Sequence, residues 1–228
     1  MLDTNETLLP CVEINPTTTP VGSVIWLHGL GADGNDFVSF VPELKLPDTL
    51  PLRFIFPHAP LIPVTINNGY VMRAWYDILA INVDRHADEA GIHHSVAHIE
   101  QLIAREVERG IPHEKIIVAG FSQGAVIALT TGLTYSNRLA GIIALSGYLP
   151  HAEAVFHNAS PVNKSIPIFL AHGTSDAVVP HFLGESVHTM LQKQGYSVDW
   201  HSYNNMPHSV CSKEIEDIAK WMMRVFKH

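Results

Sequence analysis

The chain has 228 residues, 46% of them hydrophobic, and a formal net charge of -8 from 14 Lys+Arg against 22 Asp+Glu. A chain of that length buries about 70% of its unfolded surface around one core without staples, and its composition excludes disorder, collagen and coiled coil. The acidic balance argues against nucleic acid as a partner, because phosphate backbones repel a net negative chain.

One domain is expected over residues 1–228, with residues 1–20 as an N-terminal strand or tail. Residues 1–6 carry acid where a secretory leader carries base, and no long apolar run follows. No run reaches the ~18 to 20 apolar residues that a membrane span needs, so no integral membrane association is expected. Cys11 and Cys211 are far apart and make no disulfide framework, which suits a reducing, cytoplasmic location.

In chain order, short apolar runs occur at Val24-Ile25-Trp26-Leu27, Leu52-Arg53-Phe54-Ile55-Phe56, Ile116-Ile117-Val118-Ala119, Ile142-Ile143-Ala144-Leu145 and Ile168-Phe169-Leu170-Ala171. Runs apolar on both faces are the mark of parallel strands buried between helix layers. Helical stripes lie between and after them: Ile92, Val96, Ile99, Ile103 and Val107, closed by Gly110 and Pro112; then Leu183, Val187, Met190 and Leu191; then Ile215, Ile218, Ala219, Met222, Val225 and Phe226. The alternation predicts an α/β fold, a mostly parallel doubly wound sheet with helices on both faces. Ligands bind beyond the carboxyl ends of such strands. Residues 57–91 break the pattern and read as a long loop or lid-like segment over the site.

The chemistry sits where that rule puts it. Gly120-Phe121-Ser122-Gln123-Gly124 follows the 116–119 run and opens a helical stretch, which makes it G-x-S-x-G in strand-turn-helix context, a nucleophile elbow. A serine nucleophile needs a base and the base needs an orienter, here in the order Ser, Asp, His. Asp176 follows the 168–171 run within His172-Gly173-Thr174-Ser175-Asp176. His208 lies in Met206-Pro207-His208-Ser209, after a strand-like stretch at 196–203. Asp199 and Asp217 compete poorly, lying inside a strand and on a polar helix face. The oxyanion donors are expected to be the N–H groups of Gln123 and Leu30, the latter in the glycine-lined loop His28-Gly29-Leu30-Gly31 after the first run.

Two other readings are weak. Gly29-Leu30-Gly31-Ala32-Asp33-Gly34 fits G-x-G-x-x-G, but the next strand supplies no acid for a ribose, so a nicotinamide-dependent oxidoreductase is disfavoured. His94 and His98 share a helix face, and His113-Glu114 has no second histidine four positions after His113, so no metal and no cofactor are expected. Tyr70, Met72, Trp75 and Tyr76 are large residues in the aperiodic segment. They are expected to bind the acyl chain, with Trp75 as a core residue the alternative. A catalytically silent binding protein on the same scaffold is the remaining rival.

At this point the chain resembles the carboxylesterase, lysophospholipase and acyl-protein thioesterase family of α/β-hydrolases. The matching segments are Trp26-Leu27-His28-Gly29-Leu30-Gly31, Pro57-His58-Ala59-Pro60, Met72-Arg73-Ala74-Trp75-Tyr76-Asp77, Asp88-Glu89-Ala90-Gly91-Ile92, Gly120 to Gly124, His172 to Asp176 and Met206 to Ser209, in family order. The resemblance implies a metal-free enzyme without a large cap domain. Its triad would be Ser122, Asp176 and His208, its oxyanion donors Leu30 and Gln123, and the loop around Trp75 would line the acyl site. The implied substrate is a small ester, thioester or lysophospholipid of short to medium acyl chain. A homodimer is left open.

Overall fold

The computed structural model describes residues 8–79 and 87–227. The first seven residues of the 1–20 tail, and residues 80–86 of the 57–91 segment, lie outside them. A seven-stranded sheet runs through the described residues in the order β1-β3-β2-β6-β7-β8-β9. Its strands are β1 (Cys11–Ile14), β2 (Gly22–Leu27), β3 (Leu52–Pro57), β6 (Ile116–Phe121), β7 (Gly141–Leu145), β8 (Ile168–Gly173) and β9 (Val198–Tyr203). Only β1 is antiparallel to its neighbour; the other pairings are parallel. This is the α/β-hydrolase architecture.

Successive residues of each strand feed opposite sides of the sheet. Ile25, Leu27, Ile55, Ile116 and Val118 join one buried cluster, with α2 (Glu89–Glu108), α3 (Gln123–Thr134) and α5 (His181–Lys193) packed on it. Val24, Trp26, Phe54, Ile117 and Ala119 join the other, covered by α1 (Phe40–Glu43) and α6 (Ser212–Val225). Two apolar faces explain the unbroken apolar runs. The α2 stripe begins where Asp88 caps the Gly91 N–H at 3.0 Å and ends at Gly110, which takes φ +93°. A last short helix, α4 (Ala152–His157), follows β7.

The segment expected as a long loop is partly structured, and this is a correction. β4 (Leu61–Val64) and β5 (Tyr70–Arg73) pair as an antiparallel hairpin, and Ile78 bridges Ala87 beyond it. The connection is one turn of 3-10 helix, Thr65–Asn67, closed by Asn68 at φ 56° and Gly69 at φ 74°, both left-handed. Among the described residues, no helix is long and apolar enough to cross a membrane.

Candidate active site

β6 enters α3 through Ser122, which sits at φ 55° and ψ -116°, a backbone region that non-glycine residues occupy only under constraint. The flanking glycines permit it by close approach. A Cβ on Gly120 would lie 2.2 Å from Gly124 O, and one on Gly124 would lie 2.5 Å from Leu27 O. The turn therefore jams strand against helix and leaves the hydroxyl at the helix N-terminus, where the macrodipole favours developing negative charge.

The structure brings the three residues of the expected triad together. His208 Nε2 is 3.0 Å from Ser122 Oγ, and His208 Nδ1 is 2.7 Å from Asp176 Oδ2. Asp176 is 6% exposed, and its other oxygen, Oδ1, accepts the N–H groups of Val178 at 2.9 Å and Val179 at 2.8 Å. The carboxylate is thus fixed from one side and presented to the imidazole on the other. The ring of Phe121 packs on His208 with centroids 4.7 Å apart. The loops holding Asp176 and His208 are tied by Ser175 N–H to Met206 O at 3.0 Å and Asn205 N–H to Thr174 Oγ1 at 2.9 Å. His172 is fully buried, and burial lowers its pKa, with the Val179 carbonyl and Asp176 acting against it. Its Nε2 donates to Val179 O at 2.7 Å and lies 3.3 Å from Asp176 Oδ2.

Ser122 and His208 open onto a cavity of about 320 Å³ that Leu30 and Gln123 also line. Gln123 is the first residue of α3, so its backbone N–H has no intrahelical acceptor. The apolar part of the wall comes from Ile66, Ile78, Tyr76, Tyr148 and Val178. Tyr76 and Tyr148 share a hydroxyl–hydroxyl hydrogen bond at 2.9 Å.

Of the four residues expected to bind the acyl chain, only Tyr76 lines this cavity. Tyr70 is 70% exposed on the hairpin. Met72 is half-buried, with its sulfur accepting from Asn67 Nδ2 at 3.4 Å. Trp75 is 2% exposed, and its indole donates to His28 O at 2.9 Å, so it belongs to the core. Core burial of the ring, rather than an apolar wall, accounts for a tryptophan there. Ile66, Ile78, Tyr148 and Val178 were not singled out from sequence. Tyr148 carried a usable signal, because it follows β7 just beyond its carboxyl end. The G-x-G-x-x-G loop leads into turns, not directly into a helix, and its Gly29, Leu30 and Ala32 line the cavity beside Ser122. His94 is exposed on α2, and among the described residues no group of three or more candidate metal ligands gathers.

Comparison with known proteins decides the family. Residues 10–225 match the phospholipase/carboxylesterase family. The chain belongs to that family. It is 41% identical over 225 residues to acyl-protein thioesterase 1 of Neurospora crassa, covering 94% of this chain and 89% of that protein. It is 43% identical over 178 residues to the protein of the same name from Schizosaccharomyces pombe, covering 78% and 79% of the two chains. Among solved structures, Arabidopsis thaliana SOBER1 superposes with a TM-score of 0.85 at 30% identity, over 90% of this chain and 98% of that one. Zea mays acyl-protein thioesterase 2 does so with a TM-score of 0.85 at 29% identity, over 95% and 99%. As a member of the phospholipase/carboxylesterase family the chain is a serine hydrolase of carboxylic esters, and nothing supports a silent binding protein or an oxidoreductase.

Proposed function

We propose that Ser122 is the nucleophile, His208 the general base and acid, and Asp176 the orienting carboxylate of an esterase that also cleaves thioesters. The carrying observation is the pair of contacts from one imidazole, 3.0 Å to the serine hydroxyl and 2.7 Å to the carboxylate. Asp176 accepts a hydrogen bond from Nδ1–H, which keeps that proton on Nδ1 and leaves the Nε2 lone pair free to take the Ser122 proton as Oγ attacks the acyl carbon. Charge moves to the carbonyl oxygen, which the N–H groups of Gln123 and Leu30 receive. The protonated His208 then gives its Nε2 proton to the departing alcohol or thiol, and an acyl-Ser122 ester remains. A water deprotonated by His208 attacks that ester, releases the acid and restores the serine.

Thioesters enter the reading because the relatives at 41% and 43% identity are named acyl-protein thioesterases. The apolar cavity of about 320 Å³ suits a short to medium acyl chain, at about 0.8 kcal/mol per buried methylene. Acylated proteins and lysophospholipids are the proposed substrate classes, and a cytoplasmic setting fits the two free cysteines, Cys11 and Cys211. The test is kcat/KM for an S-octanoyl peptide, an octanoyl ester and a lysophospholipid of matched chain length. Turnover of the thioester peptide at least equal to that of the simple ester is expected. Turnover of the ester alone would remove thioesters from the function.

A further inference from the structure

We infer that His28 is a positioning residue for the oxyanion site, holding through its Nδ1–H the carbonyl of the same peptide group whose N–H belongs to Leu30. The inference rests on the proposed reading that Leu30 is an oxyanion donor, and it assigns work to a buried histidine that the triad does not use.

His28 follows β2 and is 1% exposed. Its Nδ1 is 2.7 Å from Gly29 O, and a carbonyl oxygen can only accept, so Nδ1 carries the proton. Its Nε2 receives the Ala59 backbone N–H at 3.1 Å and must therefore be the bare nitrogen. The tautomer is fixed from both sides. Burial pushes the imidazolium down to about 4, with the nearby His58 and Arg73 acting in the same direction and the Gly29 carbonyl and Asp33 against it. His28 is thus neutral near pH 7, and, pinned at both nitrogens, it is no rival to His208 as a base.

Gly29 C=O and Leu30 N–H are the two ends of one planar trans peptide, so they point in opposite directions. A donor on the oxygen draws electron density from the nitrogen and makes the N–H a stronger donor at the far end, the cooperative effect of hydrogen-bonded chains. The same contact fixes the rotation of the peptide plane. That plane lies against the nucleophile, since a Cβ on Gly29 would sit 3.5 Å from Ser122 Cβ. The next peptide is held as well, by Gly31 N–H donating to Arg73 O at 2.8 Å. Ala32 N–H gives Gly29 O a second, longer contact at 3.3 Å, so removing His28 weakens the hold on this peptide without abolishing it. The chain of donors runs from Ala59 through His28 and Gly29 to Leu30, ending where the oxyanion forms.

The test compares His28→Leu, which fills space without a donor, with His28→Asn, whose side-chain amide offers an N–H close to the Nδ1 position. Steady-state kinetics, melting temperature and the affinity of an octyl trifluoromethyl ketone, which forms an oxyanion hemiketal on Ser122, are measured for each. His28→Leu is expected to lower kcat roughly tenfold to a hundredfold. KM should change less than about twofold, the ketone should bind more weakly by the same factor as kcat, and the shape of the pH–rate profile should be kept. His28→Asn should restore most of both losses. Should His28→Leu not fold, His28→Gln, whose donor falls near the wrong nitrogen, takes its place against His28→Asn. Unchanged kcat in His28→Leu, equal losses in both variants, or unchanged ketone affinity beside a lowered kcat would each overturn the inference. A wild-type enzyme that forms no hemiketal on Ser122 would instead overturn the underlying reading.

Discussion

The backbone N–H of Trp75 donates to Gln123 Oε1 at 2.8 Å, which ties the segment after β5 to the residue that follows Ser122. The Gln123 amide returns the contact by donating from Nε2 to Tyr76 O at 2.7 Å, and the Trp75 carbonyl accepts the Ser95 hydroxyl from α2. With its indole on His28 O, Trp75 joins the loop after β2 to the start of α3 and is buried in the core.

Trp75→Ala should therefore act as a core truncation, costing about 3–5 kcal/mol of stability, which is on the order of 10 °C in Tm for a chain of this size. Any fall in kcat/KM should be equal for octanoyl and acetyl esters. A selective loss on the octanoyl ester at unchanged Tm would return the indole to the acyl site.

Selectivity should instead respond at Ile66, which is half-buried on the connection between β4 and β5 and lines the cavity. Ile66→Ala removes apolar wall from a bound chain, and should lower the octanoyl-to-acetyl ratio of kcat/KM roughly fivefold to tenfold at about 0.8 kcal/mol per methylene lost from contact. Melting temperatures should barely move. An unchanged ratio would mean that the acyl chain lies elsewhere.

Asp176→Asn separates the two jobs of that carboxylate. The amide oxygen can keep the Val178 and Val179 N–H groups, so folding should survive. The amide nitrogen then faces His208 Nδ1 and favours the tautomer with its proton on Nε2, which cannot accept from Ser122. By analogy with the serine-protease triad, kcat should fall by about 10⁴. A loss below tenfold, with Tm unchanged, would show that another group orients His208.

How much of this was legible in the chain depends on how each residue is buried. β2, β3, β6, β7 and β8 could be read because their residues are buried on both faces, and the meeting of Ser122, Asp176 and His208 could be expected because each follows a separate strand. The β4–β5 hairpin was missed although Asn68-Gly69 sits in its connection. Its strands have four residues each, and Pro63 interrupts the first, so no period of two is visible. Trp75 was misassigned for a related reason. In a segment without periodicity nothing in the sequence says which way an aromatic points, and only the contacts with Gln123 and His28 settle it. Ile66 and Ile78 reach the cavity through that same hairpin and bridge, so they were illegible together.

Glu214 supplies a pH test of stability remote from the chemistry. It is fully buried in the first turn of α6, and burial pushes its carboxyl up to about 8, with the Asp217 charge adding and the Cys211 N–H opposing. A raised carboxyl pKa means that the folded state holds the proton more tightly than the unfolded one. The contribution is complete below the ordinary carboxyl value near 4.5 and is lost progressively as pH rises toward 8. Glu214→Gln, neutral at every pH, should gain in Tm relative to wild type between pH 5 and 8. A constant difference across that range would mean that Glu214 is ionised in the fold.

The central claim is that Ser122 Oγ is the attacking atom, and turnover of an octanoyl thioester by Ser122→Ala tests it most directly. The account predicts a fall in kcat of at least about 10⁴-fold, with Tm within a few degrees of wild type. A variant that keeps a tenth of wild-type turnover would contradict it.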